Sequence, residues 1–165
     1  MKKIINSIIL LILLSAPFLS SAQNKEAIVK VTGEVSTPLN ITVAEYEKYK
    51  QVTVNRKDKE GKEHVYKGVL LGDILQKAGA TLGENLKGEN LTKFVLAEAS
   101  DGYKATFALT ELDKAFTDRA IILTNNVDGK PLPTTEGPFR IIIQDEKKPS
   151  RCVRQLISLR VGFAK

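Results

Sequence analysis

Residues 120–143 read AIILTNNVDGKPLPTTEGPFRIII. The apolar runs at 120–124 and 139–143 are short, continuous and rich in Ile, which suits buried strands better than helices. Between them, 125–129 has turn chemistry ending in Asp128-Gly129. Residues 130–138 then carry three prolines and Gly137. Proline lacks the donor and the torsional freedom that a helix interior or a central strand needs. The stretch reads as two core strands joined by a stiff, irregular connector.

The flanking sequence extends this pattern. Residues 27–33 alternate loosely and end on Gly33, as a first strand would. Ser36-Thr37-Pro38 is a turn. Thr42 to Glu45 has capping-box spacing, so a short helix is predicted through Lys50. Residues 51–55 (QVTVN) and 64–66 place β-branched residues at alternate positions around a charged loop that contains Gly61, giving a hairpin. Over 69–79, Leu70, Leu71, Ile74, Leu75 and Ala78 share one helical face, and Gly79 stands where a left-handed cap belongs. Residues 80–92 are polar and predict a surface loop. Residues 94–99 and 103–109 predict strands joined around Asp101-Gly102, a strong turn pair. Thr110 to Asp113 predicts a cap and a short helix, and 155–161 a last strand. Many strands with about three short helices, not regularly alternating, make an α+β domain.

The 165 residues are 42% apolar and 27% charged, with 11 Gly and 6 Pro. These fractions exclude collagen-like and low-complexity classes and leave room for one domain. Residues 1–22 have a basic start at Lys2 and Lys3, an apolar run over 4–14 and small residues at Ser20-Ser21-Ala22. This is the layout of a signal peptide. The run is short for a bilayer span. Cleavage after Ala22 leaves 23–165 as the domain and removes two lysines and no acid, lowering the formal charge from +6 to +4. Such a mild surplus is not a nucleic-acid signal. The product is predicted to be exported, periplasmic in a Gram-negative cell and otherwise secreted, and not an integral membrane protein.

Few residues suggest catalysis. His64 is the sole histidine, so a site of several imidazoles is excluded; its ordinary reading is a solvated strand position. Cys152 is the sole cysteine, so no internal disulfide forms. Arg151 and Arg154 flank it, and cations favour the thiolate, which is both nucleophile and metal ligand. Its ordinary reading is a small apolar residue, leaving it a weak metal candidate. Asp101 and Asp128 each precede Gly and are explained by turns. Glu136, before Gly137-Pro138, could line a cleft but has no evident carboxylate partner. The rigid 129–138 loop lies beside Arg140 and the basic 147–151 segment, a combination that suits an anion.

The ordered segments 66–75 (YKGVLLGDIL), 100–103 (SDGY), 126–133 (NVDGKPLP), 136–143 (EGPFRIII) and 150–153 (SRCV) resemble the sulfite-oxidase-type molybdopterin-binding domain, particularly its small stand-alone members. The resemblance runs from about Ile28 to Val161. It implies a compact α+β domain of mixed small sheets and a pocket for a molybdenum–pterin cofactor. By position it nominates Asp101, Tyr103, Asn126, Gly129, Arg140 and Arg151 as cofactor-binding residues, and no catalytic group. The family's metal-ligating Cys comes from a segment that here is 51–55, which contains none, and soft molybdenum chemistry wants a thiolate.

Three functions follow as expectations. The first is a binding or accessory module of redox metabolism that holds a small anionic ligand or pterin, or supports a redox partner protein. The second is a molybdenum–pterin oxidoreductase subunit. The third is an envelope interaction domain with no cofactor.

Overall fold

The computed structural model describes residues 28–164. The predicted signal peptide at 1–22 lies outside the described residues. The chain runs β1 (Val29–Gly33), β2 (Leu39–Ile41), α1 (Val43–Glu47), β3 (Val52–Lys57), β4 (Glu63–Leu70), α2 (Leu71–Lys77), β5 (Lys93–Ala99), β6 (Lys104–Ala108), β7 (Ile121–Val127), β8 (Lys130–Pro131), β9 (Arg140–Ile143) and β10 (Leu156–Phe163). Single 3-10 turns occur at Gly83–Asn85, Gly88–Thr92, Leu109–Leu112 and Pro149–Arg151. The fold is α+β, as expected.

One sheet has the order β2-β1-β10-β5-β6. Only β1 and β10 pair in parallel within it. Val29, Val31, Val95, Ala97, Phe107, Leu159 and Val161 point from this sheet into the main core. The second sheet runs β3-β4-β7, and the far edge of β7 is shared by β8 and β9. Here the apolar runs of 120–124 and 139–143 find their explanation. Ile121, Leu123, Ile141 and Ile143 enter the main core, while Ile122 and Ile142 pack with Val54 and Tyr66 on the opposite face. Strands covered on both faces read as continuous rather than alternating apolar runs.

Local chemistry accounts for most of the elements. The Thr42 hydroxyl accepts from the Glu45 amide at 3.1 Å and so starts α1. The helix ends at Glu47, before the predicted Lys50, because Lys48 and Tyr49 bond three residues back, which tightens the last turn. Helix α2 starts at Leu71 because Val69 and Leu70 stay in β4, paired with Leu123 and Ile122. Gly79 (φ +72°) caps its end as predicted. The third predicted helix is instead the 3-10 turn Leu109–Leu112, where the Glu111 carboxylate, not Thr110, takes the Ala108 amide at 3.1 Å. The predicted 125–129 turn shrinks to Asp128 and Gly129, with φ +52° and +75°. Asn125 and Asn126 extend β7. Strand β2 was not foreseen: three residues carry too little pattern to read.

Candidate functional site

Arg140 opens β9, and its neighbours in that strand are all buried apolar residues. Its side chain is only 6% exposed. A buried guanidinium needs a partner, and Glu136 provides one: Nη1 donates to Oε2 across the 137–139 turn. The Arg140 guanidinium also lies 5.6 Å from the Tyr66 ring centre. Burial pushes the Tyr66 phenol up, and Arg140 partly opposes that. The other Glu136 oxygen faces Arg154 Nη2 at 3.4 Å. One carboxylate therefore serves two arginines. Arg140 Nε is buried and has no partner. Buried polar atoms are nearly always satisfied, so this nitrogen is an open donor that a ligand acceptor would satisfy.

Arg140 and Arg154 line a cleft of about 260 Å³ with Asp101, Tyr103, Ser150 and Cys152. The β5–β6 turn forms one wall and the Pro149–Arg151 turn another. The Tyr103 hydroxyl donates to the Ser150 carbonyl at 2.6 Å and ties the two together. Asp101 is spent on its own turn, taking the Tyr103 amide at 2.9 Å. Cys152 is 4% exposed and packs into the main core as well as lining this cleft.

Three of the six nominated residues, Asp101, Tyr103 and Arg140, therefore meet in one cleft. The others lie elsewhere. Asn126 lines a separate cleft of about 300 Å³ beside α1. Gly129 is an exposed turn residue. Arg151 points away from the Arg140 cleft. It donates to both Glu111 oxygens at 3.2 and 3.1 Å and to Glu146 at 3.2 and 2.8 Å, over the Phe107 ring. Glu136, for which the sequence offered no partner, pairs with both Arg140 and Arg154. Arg154, marked in the sequence only as a cation near Cys152, lines the cleft and faces Glu136. The sequence reading did not find a cleft of about 610 Å³ between α2 and 111–121, whose lining includes an Asp73–Lys114 ion pair at 3.2 Å.

The model of one protein family, the oxidoreductase molybdopterin binding domain, matches residues 19–156. The chain belongs to that family. Among solved structures, the sulfane dehydrogenase SoxCD from Paracoccus pantotrophus is similar in fold, with a TM-score of 0.63 and 18% identity. The match covers 81% of this chain and 37% of that one, so this chain spans little more than a third of its length. No curated protein sequence matches.

The residues present divide when set against a molybdopterin. Arg140 and Arg154, with a free Nε and the Ser150 hydroxyl nearby, fit an anionic group. Residues 51–55 lead into β3 and offer no sulfur. The single thiol, Cys152, stands in the wall of the arginine cleft. The molybdopterin-binding domain here thus fits the anionic part of the cofactor and holds one buried soft donor.

Proposed function

We propose that this molybdopterin-binding-family domain is an exported binding or accessory module of redox metabolism, and that it holds a small anionic, pterin-like ligand at Arg140 and Arg154. The unpartnered Arg140 Nε in a lined cleft carries this reading. Residues 1–22 support export through their signal-peptide layout. No helix among the described residues is long and apolar enough to cross a membrane. The exposed cleft rim, with Arg154 at 58%, gives a redox partner protein access to the ligand.

One observation favours a second reading, a molybdenum–pterin oxidoreductase subunit. Cys152 shares the cleft with both arginines. A molybdenum centre supplies two-electron redox chemistry when bound. In that case Cys152 would be its protein donor, with Arg140 and Arg154 holding the anionic part of the cofactor.

Cys152→Ser separates the two. Under the binding-module reading, ligand retained from a cofactor-making host survives Cys152→Ser and is lost from Arg154→Met. Loss of molybdenum and redox activity on Cys152→Ser, from a wild type that had both, would establish the enzyme reading instead.

A further inference from the structure

A β-bulge interrupts the pairing of β4 with β7. Lys67 faces Asn126 and Gly68 faces Thr124, so Asn125 is an extra residue with no partner in β4. Bulges re-aim side chains and gather near binding sites. This one is closely supported. A Cβ on Gly68 would lie 2.3 Å from the Leu123 carbonyl oxygen, so only glycine lets the strands approach there. The buried Thr124 hydroxyl donates to the Lys67 carbonyl at 2.6 Å and accepts from the Asn126 amide at 3.1 Å. The Asn125 carbonyl accepts from the Leu132 amide at 2.9 Å. The backbone is satisfied without using either asparagine side chain.

Both carboxamides are thereby left for the cleft of about 300 Å³ lined by Tyr46, Glu47, Gln51, Lys67, Asn125 and Asn126. Tyr46 and Gln51 are occupied with each other: the phenol donates to Gln51 Oε1 at 3.1 Å, and Gln51 Nε2 donates to the Tyr46 carbonyl at 3.3 Å. Burial pushes the Tyr46 phenol up to about 12, so it stays protonated and neutral. Among the described residues, the side chains of Asn125, Asn126, Lys67 and Glu47 enter no hydrogen bond or ion pair within the chain. The cleft therefore offers two half-buried neutral carboxamides, each with a donor and an acceptor, below an exposed rim with one cation and one anion.

We infer that this bulge cleft is a second binding site, for a small zwitterion of the amino-acid or dipeptide class. A ligand carrying only negative charge would meet Glu47, and one carrying only positive charge would meet Lys67. A zwitterion sets its carboxylate against Lys67 and its ammonium against Glu47. Its amide or carboxylate edge then lies on the Asn125 and Asn126 carboxamides. The cleft is too small for a folded partner and suits a molecule of a few heavy atoms per charge. The site shares no lining residue with the Arg140 cleft, so the inference does not depend on what binds there.

The test is nitrogen–proton NMR on the purified protein, titrated with four probes: glycylglycine, N-acetylglycine, glycinamide and sulfate. Glycylglycine should saturably shift the Asn125 and Asn126 side-chain amides. N-acetylglycine and glycinamide, each lacking one charge, should bind about tenfold more weakly, the usual effect of losing one charge-assisted hydrogen bond. Asn125→Ala/Asn126→Ala should lower glycylglycine affinity by at least about tenfold without moving the melting temperature, since neither side chain supports the bulge. Lys67→Met should weaken glycylglycine and leave glycinamide no weaker, since it removes a like charge from the site. Equal binding of N-acetylglycine and glycylglycine, dominance of sulfate, or no saturable shift at these amides in the wild type would each overturn the inference.

Discussion

Buried Arg140 and part-buried Glu136 form an ion pair across the 137–139 turn, and the same carboxylate reaches Arg154 on the other side at 3.4 Å. The pair draws β9 and the segment before β10 into one charged corner of the domain. Removing one member leaves the other uncompensated. Arg140→Met should therefore destabilise the protein by about 3 kcal/mol in urea titration. Arg140→Met/Glu136→Gln, which removes both charges, should cost less than the single change. If the double variant is less stable than Arg140→Met, the pair is not what the arginine is buried for.

Arg151 should behave differently. Its guanidinium is committed to Glu111 and Glu146, and Glu146 also lies 3.7 Å from Arg119. Arg151→Ala should cost about 1 kcal/mol, as expected for a partly exposed network. Retention of the anionic ligand should not change. Equal ligand loss in Arg151→Ala and Arg154→Met would place Arg151 in the binding site.

His64 links two hairpins. Nδ1 lies 2.7 Å from Asp128 and Nε2 lies 3.3 Å from Asp58. The bond to Asp128 is the main cause that holds the imidazole above its ordinary 6.5; burial opposes it, and Asp58 adds to it. Asp128 is held below its ordinary 3.8, first by the Val65 amide and then by His64. For Asp58, burial pushes upward, and the Lys62 and Glu60 amides together with His64 outweigh it. A raised histidine stabilises the fold fully below about 6.5 and loses that contribution as pH rises through its folded value. The lowered carboxylates contribute above about 3.8 and lose it as pH falls. The stability gap between wild type and His64→Gln should be largest near pH 5 to 6 and close as pH rises through the raised folded value. A gap that widens at alkaline pH would contradict the imidazolium clamp.

Gly68→Ala tests the bulge. With the added Cβ 2.3 Å from the Leu123 oxygen, β4 and β7 must separate. A loss of about 3 kcal/mol or more in thermal or urea unfolding is expected, the range of severe backbone clashes. A neutral outcome would mean that the strands pair less closely at this point.

The readable features were those set by neighbours in sequence. Alternation over 51–55 and 64–66, the Asp101-Gly102 turn, the Thr42 cap and Gly79 at the end of α2 all rest on contacts within a few residues. The continuous Ile runs signalled burial on two faces, which the second sheet provides. What stayed hidden depends on distant partners. The extra residue at Asn125 exists only in register with β4. Arg151 was nominated only by its position in the family pattern, because its partners Glu111 and Glu146 reach it from separate segments. Val69 and Leu70 have helical spacing with α2, but pairing with β7 outweighs that local preference.

The central claim is that the Arg140–Arg154 cleft holds an anionic pterin. It is tested most directly by assaying molybdenum and pterin in protein purified from the exported fraction of a cofactor-making host. Oxidised-pterin fluorescence and metal analysis would be run on the same sample of wild type and Arg154→Met. The account predicts about one pterin per wild-type chain, little or no molybdenum, and marked loss of pterin from the variant. Absence of pterin from the wild type, or equal pterin in both proteins, would contradict it.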